Sequence, residues 1–419
     1  MRIITVYEHD LLLVEDTRNG VTFEQRHFDS LADRLGKKDE SSFPFYSLVK
    51  YHRKDGIKFK QFVGAIQVGD LTIEILPKTD SGAGAENKWR SILLYMLSKV
   101  YNLQIRSESF TPQHLRHSTI LDFVVLRFLD ETERILHQGL VKTYRNLNEN
   151  STALKGKLLI QQQITKNSVH QERFYVRHTV YDRSHIMNRI LRQTLVCLSY
   201  YSKNPVICQR ANTYLSYFPE LDPVAVDEEA FARLVFSRKT DGYRDAMALA
   251  ELILFNNMPD LQTGKKDTLA LLFDMNRLWE KFVYVTLRHY LDQQLYTVRD
   301  QVSRLFWKTR TIRPDIVIDS PKGKVILDTK WKTPADSPSD NDLHQMYVYF
   351  RYFHASKVAL IYPSPAGMPP PPGVTGLFSD GTNTPCSSIN LPVPNWNGNG
   401  DGKIWQQKIA DIVENWLKS

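Results

Sequence analysis

Cysteine is scarce in this sequence. Cys197, Cys208 and Cys386 are the three in 419 residues, and no two stand at a C-x-x-C spacing. That excludes a disulfide-built scaffold and the common cysteine zinc sites, and it predicts a reducing, cytoplasmic setting. Long apolar runs are missing as well. No stretch reaches the about 18 apolar residues of a membrane-spanning helix. The opening Met1–Asp10 lacks the apolar core and cleavage pattern of a signal peptide. The expectation is therefore no membrane partner. A phosphate-cradling loop is also absent, because Gly264-Lys265 would need Gly at position 259 and Ser or Thr after the lysine. Pro259 and Lys266 stand there instead. The chain thus shows no nucleotide-hydrolysing motor of its own. Acidic residues are in mild deficit, 46 Asp and Glu against 54 Lys and Arg, a formal charge of +8. Such a balance suits an anionic partner without requiring one.

With 42% apolar residues, a chain this long can fill two or three cores. Residues 1–80 read as a strand-rich domain. Ile3–Tyr7 alternates, and Phe59–Ile66 and Leu71–Leu76 read as strands paired around Gly69-Asp70. Lys50–Lys60 carries five Lys and Arg residues with Tyr51 and Phe59 interleaved and a turn signal at Asp55-Gly56. It is either a solvated hairpin rim or a contact for nucleic acid or an acidic protein surface. Ser81–Ala85 is a break. Residues 81–260 read as mostly helical, at Asn87–Tyr101, Thr119–Gln138, Glu228–Phe236 and Gly242–Phe255, with a β-hairpin near 139–162. His114 and His117 form an H-x-x-H without a third ligand, so they are read as ordinary histidines. Residues 261–419 complete the chain as a third domain. The class is α/β, α+β overall.

The stretch richest in chemistry is Arg313–Lys332, RPDIVIDSPKGKVILDTKWK. Period-two alternation predicts two strands, Arg313–Asp319 and Lys324–Lys332, joined by a turn at Ser320–Gly323. That period places Asp328 and Lys330 on one face, with Asp315 available from the neighbouring strand. Two carboxylates and an ammonium at a strand end suit a hard divalent cation, Mg²⁺ or Mn²⁺, that activates water against a phosphodiester. A merely solvated polar face fits the same pattern. Before the hairpin, FDMNRLWEKFVYVTLRHYL reads as a helix whose Glu280 lies on a side too apolar to be plainly solvated. After it, DLHQMYVYFRYF puts Gln345, Val348, Tyr349 and Tyr352 on one helical face. Between Arg299 and Lys332 nine Lys and Arg stand against four Asp. Of these, Arg304, Lys308, Arg310 and Arg313 are the candidate DNA-backbone contacts, with Phe306 and Trp307 interleaved.

Pro314-Asp315 followed by Asp328-Thr329-Lys330 resembles the PD-(D/E)xK nuclease motif. Gln345 and Tyr349 resemble the Q-x-x-x-Y element of some nucleases in that superfamily. A second resemblance spans Gly139–Asn188. Its carriers are Gly139-Leu140-Val141, Tyr144, Leu154, Gly156-Lys157-Leu158, Phe174, Tyr181-Asp182, Asn188 and Ile190-Leu191. In this order and spacing they are similar to McrC, the nuclease subunit of McrBC-type restriction systems. The resemblance implies a C-terminal restriction-endonuclease-like domain with a mixed sheet. Asp315, Asp328 and Glu280 would be metal ligands, and Lys330 and Gln345 would be catalytic. Arg304, Lys308, Arg310, Arg313, Lys332 and Tyr349 would meet DNA. It also implies a partner, an McrB-like AAA+ GTPase that reads modified cytosine in double-stranded DNA. Two other readings stay open, a non-catalytic activator of a motor protein and a DNA-repair nuclease of the same fold.

Overall fold

Alternating apolar residues and tight turns make short strands at the start of the chain. In the computed structural model these are β1 (Arg2–Tyr7), β2 (Leu11–Leu13), β3 (Thr17–Arg18), β4 (Val21–Thr22), β5 (Tyr46–Tyr51), β6 (Lys54–Phe59), β7 (Phe62–Val68) and β8 (Leu71–Leu76). Helix α1 (Gln25–Leu35) follows β4, and α2 (Ala85–Val100) follows β8. The structure describes residues 2–35, 45–77, 85–101, 119–202, 204–221, 227–255, 268–332, 337–364, 375–379, 385–396 and 400–419. The H-x-x-H histidines, Gly264-Lys265, most of the Ser81–Ala85 break and most of the proline-rich stretch after Pro363 lie outside them.

Strands β7 and β8 pair around Gly69-Asp70 as expected. The basic hairpin differs. Its turn is His52-Arg53, with φ of 48° and 66°, because Tyr51 pairs with Lys54. Two left-handed residues match the twist of a two-residue hairpin. Gly56 lies inside β6, where a Cβ would come within 2.9 Å of the Leu12 carbonyl oxygen. Its smallness serves the close approach of β2 and makes no turn.

The middle of the chain forms a unit of its own, Val124–Lys266. Most of α3 (Ile120–Gln138) belongs to it, followed by β9 (Thr143–Ser151), β10 (Lys157–Leu158), α4 (Ile160–Asn167), β11 (Phe174–Asp182), α5 (Ile186–Tyr201), α6 (Pro205–Leu215), α7 (Glu228–Ala232) and α8 (Arg244–Phe255). The hairpin expected near 139–162 is not made by neighbours in sequence. β9 pairs with β11 along nine residues, and β10 adds to the far side of β11. The polar run Asn146–Ser151 therefore continues a strand, since an antiparallel ribbon can expose both faces and needs no apolar alternation.

The other unit joins both ends of the chain, Met1–Phe123 with Asp267–Ser419. The sequence boundary near residue 261 separates segments that fold together. The physical link is β12 (Thr268–Asp274), which pairs antiparallel with β7 and extends the sheet to the order β1-β8-β7-β12. Gly64 permits this. At φ +139° it lies where the Leu271 carbonyl would overlap any Cβ. Gly64→Ala is expected to cost about 2–3 kcal/mol by strain and overlap, measurable as a lower denaturation midpoint.

Downstream come α9 (Met275–Tyr290), β13 (Thr297–Asp300), β14 (Arg304–Trp307), β15 (Arg310–Ile312), β16 (Ile316–Ser320), β17 (Gly323–Thr329), α10 (Asp340–Phe353), β18 (Lys357–Ser364), β19 (Thr375–Leu377), β20 (Pro385–Pro392) and α11 (Asp401–Lys418). Six of these strands form one sheet in the order β13-β16-β17-β18-β20-β19. It is mixed: β17, β18 and β20 run parallel, while the β13–β16, β16–β17 and β19–β20 pairs are antiparallel. On one face, Val317 and Ile326 pack with Met346, Tyr349 and Phe353 of α10. On the other, Trp331 meets Trp279 of α9 with ring centroids 5.4 Å apart, and Trp279 stacks on Trp405 of α11 at 6.3 Å. Trp331 also meets Trp89 of α2 at 6.2 Å and donates to Glu8 Oε1 at 2.8 Å. The N-terminal segment and the long sheet thus share one aromatic core. No helix among the described residues is long and apolar enough to cross a membrane.

Candidate active site

The register of β16 and β17 builds the site. Ile316 pairs with Leu327, so Asp315, just before β16, comes level with the end of β17. There its Oδ2 accepts from the backbone N of Thr329 at 2.7 Å and from its Oγ1 at 2.9 Å. Both observed strands are shorter than expected, and the turn between them reduces to Pro321-Lys322 because Ser320 pairs with Gly323. Asp315 and Lys330 are therefore strand-end residues rather than strand residues. Pro314, buried, has its φ fixed by the ring, while the Arg313 carbonyl before it accepts from Tyr349 Oη at 3.0 Å.

Asp328 is 1% exposed. Its Oδ2 lies 2.7 Å from Lys330 Nζ, and its Oδ1 accepts weakly from Gln345 Nε2 at 3.4 Å. Burial first, and then the Asp315 carboxylate, push its pKa well up. Burial likewise raises Asp315, against the two Thr329 hydrogen bonds. Lys330 answers both. Burial opposes its charge, but Asp328 and the other carboxylates outweigh it and raise its pKa. It stays an ammonium, so it can stabilise charge or orient water but cannot serve as a base at neutral pH.

A chain of hydrogen bonds fixes that ammonium. Lys330 Nζ donates to Gln345 Oε1 at 3.0 Å, Gln345 Nε2 donates to Tyr349 Oη at 2.8 Å, and Tyr349 passes the chain to Arg313. Gln345 is thus placed where a site residue is expected. Tyr349, expected to meet DNA, is 6% exposed and part of the α10 core, so its hydroxyl is used internally. Lys332 is likewise engaged, 2.5 Å from Asp342 Oδ2. Arg304 is exposed, but it donates to the Tyr352 carbonyl at 3.0 Å and lies over the Phe353 ring. Lys308, Arg310 and Arg313 are exposed.

Glu280 is 9% exposed and accepts from Gln301 Nε2 at 2.7 Å. Burial, and then Asp315, raise its pKa, so the two acids feel each other. Yet among the described residues no three His, Cys, Asp or Glu side chains form a metal-holding group. Glu280 is therefore not grouped with Asp315 and Asp328 as the expected third ligand, and its Oε1 is taken up by Gln301. What remains is a pair, Asp315 and Asp328. Thr329 takes up Asp315 Oδ2, and among the described residues no donor reaches Oδ1. Mg²⁺ is commonly held by one or two carboxylates, its other positions filled by water and phosphate. The donor set fits such an ion.

Sequence reasoning missed three contributors. Thr329 stands between Asp328 and Lys330 and off their face by the two-residue period. Gln301 adopts a left-handed φ of 44°; its N donates to the Asp315 carbonyl at 2.9 Å, and no pattern marked it. Asp342 was legible, because Ser339-x-x-Asp342 is a capping box. Ser339 caps α10 by accepting from Asp342 N.

The family described as McrBC 5-methylcytosine restriction system component matches residues 57–363. The chain belongs to that family. The McrC resemblance drawn from Gly139–Asn188 is thereby borne out. The fold is similar to a chain solved in the tetradecameric assembly of Thermococcus gammatolerans McrB AAA+ hexamers with bound McrC. There the TM-score is 0.68 at 19% identity, over 99% of this chain and 100% of that one. A chain of the Thermococcus gammatolerans McrBC complex matches with a TM-score of 0.50 at 20% identity, over 70% of this chain and 88% of that one. No protein of curated function matches.

Proposed function

We propose that this chain is the DNA-cutting subunit of an McrBC-like restriction system, with a PD-(D/E)xK site at Asp315, Asp328 and Lys330. The observation that carries the reading is the convergence at one strand end: Asp328 2.7 Å from Lys330, Lys330 fixed by Gln345, and Asp315 fixed by Thr329. Membership of the family supports it. Asp315 Oδ1 and Asp328 would hold Mg²⁺, or Mn²⁺ in its place. Such an ion supplies a water of lowered pKa and offsets charge on the phosphate. Lys330 then donates to a non-bridging oxygen as charge builds there. Glu280, set beside Asp315 by Gln301, raises the local negative charge. A P–O bond to the water forms, the P–O bond to the leaving sugar oxygen breaks, the water's proton passes to solvent, and the leaving oxygen takes a proton from solvent to become a hydroxyl.

The partner we propose is an McrB-like AAA+ GTPase, as in the Thermococcus assembly of McrB hexamers with bound McrC. The partner would read modified cytosine in double-stranded DNA, and this chain would stimulate its hydrolysis of GTP. Cleavage of methylated plasmid in Mg²⁺ and GTP, with the McrB-like GTPase present, tests the site. Lys330→Ala should cut about 10²–10³-fold more slowly while binding the same DNA, and unchanged cutting would refute the assignment.

Two narrower outcomes follow from the surroundings. Thr329→Val keeps the backbone donor to Asp315 and removes the hydroxyl. Loss of such an outer partner should weaken Mg²⁺ binding by about 10–100-fold, read by calorimetric titration. Replacing Lys308, Arg310 and Arg313 together by Ala should flatten the plot of log affinity against log salt by about 3, one phosphate for each cation. Filter binding across a salt series reads that slope.

A further inference from the structure

The hairpin of β14 and β15 stands apart from the six-stranded sheet as a two-stranded ribbon. Phe306 anchors it, packing on Tyr352 of α10 at 4.9 Å, and so does Arg304 through the Tyr352 carbonyl. Its outer end is unusual. Leu305 is 67% exposed and Trp307 57% exposed. Cations flank the indole, with Lys308 Nζ 4.9 Å and the Arg310 guanidinium 5.8 Å from its centroid. From Gln301 to Pro314 there is no Asp or Glu, against Arg304, Lys308, Arg310 and Arg313.

Isolated exposed apolar residues are ordinary. A tryptophan beside the turn and a leucine along the strand of an acid-free cationic ribbon, both exposed, are not, since the cations call for a polyanion and the apolar side chains call for a surface to leave water against. Duplex DNA offers both, phosphates outside and stacked bases within. The chain also runs from Arg310 into Asp315 in five residues, a reach of at most about 18 Å. That is roughly five nucleotide steps at about 3.4 Å each.

We infer that this hairpin is a DNA wedge: Trp307 enters between base pairs beside the scissile phosphate while Lys308, Arg310 and Arg313 hold the flanking phosphates. Insertion of apolar side chains unstacks a base step and kinks the duplex. This would present a phosphate to Asp315 and Lys330 without reading sequence. The inference rests on the proposal that the site acts on DNA.

A wedge unwinds DNA, and unwinding is measurable without cutting. The full-length chain is bound to closed circular DNA in chelator, and the circles are relaxed by a topoisomerase that needs no metal. The native chain should lower the linking number in proportion to the amount bound. Trp307→Ala should bind equally yet lose most of that change, and Trp307→Phe should keep part of it. An equal shift with Trp307→Ala, or binding by the native chain without any shift, would overturn the wedge and leave the nuclease reading intact. A Trp307-dependent shift from a chain that never cuts methylated DNA in Mg²⁺ and GTP, even with the McrB-like GTPase, would uphold the wedge and overturn the nuclease. Absence of DNA binding at low salt would overturn the wedge and leave the nuclease reading to the reconstitution with the GTPase.

Discussion

Asp328→Asn is expected to slow DNA cleavage by about 10³-fold or more while the protein stays folded. The substitution keeps the shape of a side chain that is 1% exposed and keeps an oxygen for Gln345 Nε2. It removes the charge that a cation needs. Metal assistance is worth several kcal/mol in the transition state, and each 1.36 kcal/mol is about tenfold in rate. It also relieves a repulsion, because Asp315 is one of the causes that raise the Asp328 pKa. Circular dichroism should therefore match the native chain while cleavage of methylated plasmid in Mg²⁺, GTP and the McrB-like GTPase disappears. Cutting at the native rate would remove Asp328 from the reaction.

The second large effect lies far from that site. Arg90 of α2 donates through Nε to Glu74 Oε2 of β8 at 2.7 Å, and Glu74 is 0% exposed. Arg90→Met leaves a buried carboxylate without its cation. Breaking such a pair from one side costs about 3–5 kcal/mol, expected as a large fall in the urea midpoint. Arg90→Met with Glu74→Leu should recover most of it, because replacing both members removes the stranded charge. The pH dependence has a definite sign. Burial already raises the Glu74 pKa above its ordinary 4.5, against the pull of Arg90, and losing Arg90 raises it further. A raised carboxylate pKa means that the folded state holds its proton more tightly than the unfolded chain. The defect should therefore be smallest below pH 4.5 and grow as the pH rises through the folded pKa. A defect independent of pH would show that lost packing, and not the stranded carboxylate, causes the instability.

Much of the site was legible because its chemistry follows strand and helix periods. Asp328 and Lys330 share a face by the two-residue repeat, and Gln345 with Tyr349 by the helical one. Asp315 followed from the short hairpin. What escaped was whatever depended on pairing between distant segments. Gln301 reaches Glu280 and Asp315 because β13 lies beside β16, and no local pattern encodes that neighbour. Tyr349 was misread because a helical face gives a direction without saying whether sheet or solvent lies there. The same limit hid the division of the chain. The strand β12 resumes a sheet left behind at β8, some 190 residues earlier, and composition shows only a break near residue 261. Glycines misled in one place, since Gly56 marks a close approach of strands and not a turn.

The most direct test of the central claim is a reconstitution. The full-length chain is combined with an McrB-like GTPase and incubated with methylated or unmethylated plasmid, each with and without Mg²⁺ and GTP. The account predicts double-strand cleavage only where methylated DNA, Mg²⁺, GTP and both proteins are present. It also predicts GTP hydrolysis faster than that of the GTPase alone, and an Asp328→Asn chain that still accelerates GTP hydrolysis while cutting nothing. Undiminished cutting by Asp328→Asn, or accelerated GTP hydrolysis by a native chain that never cuts, would contradict it.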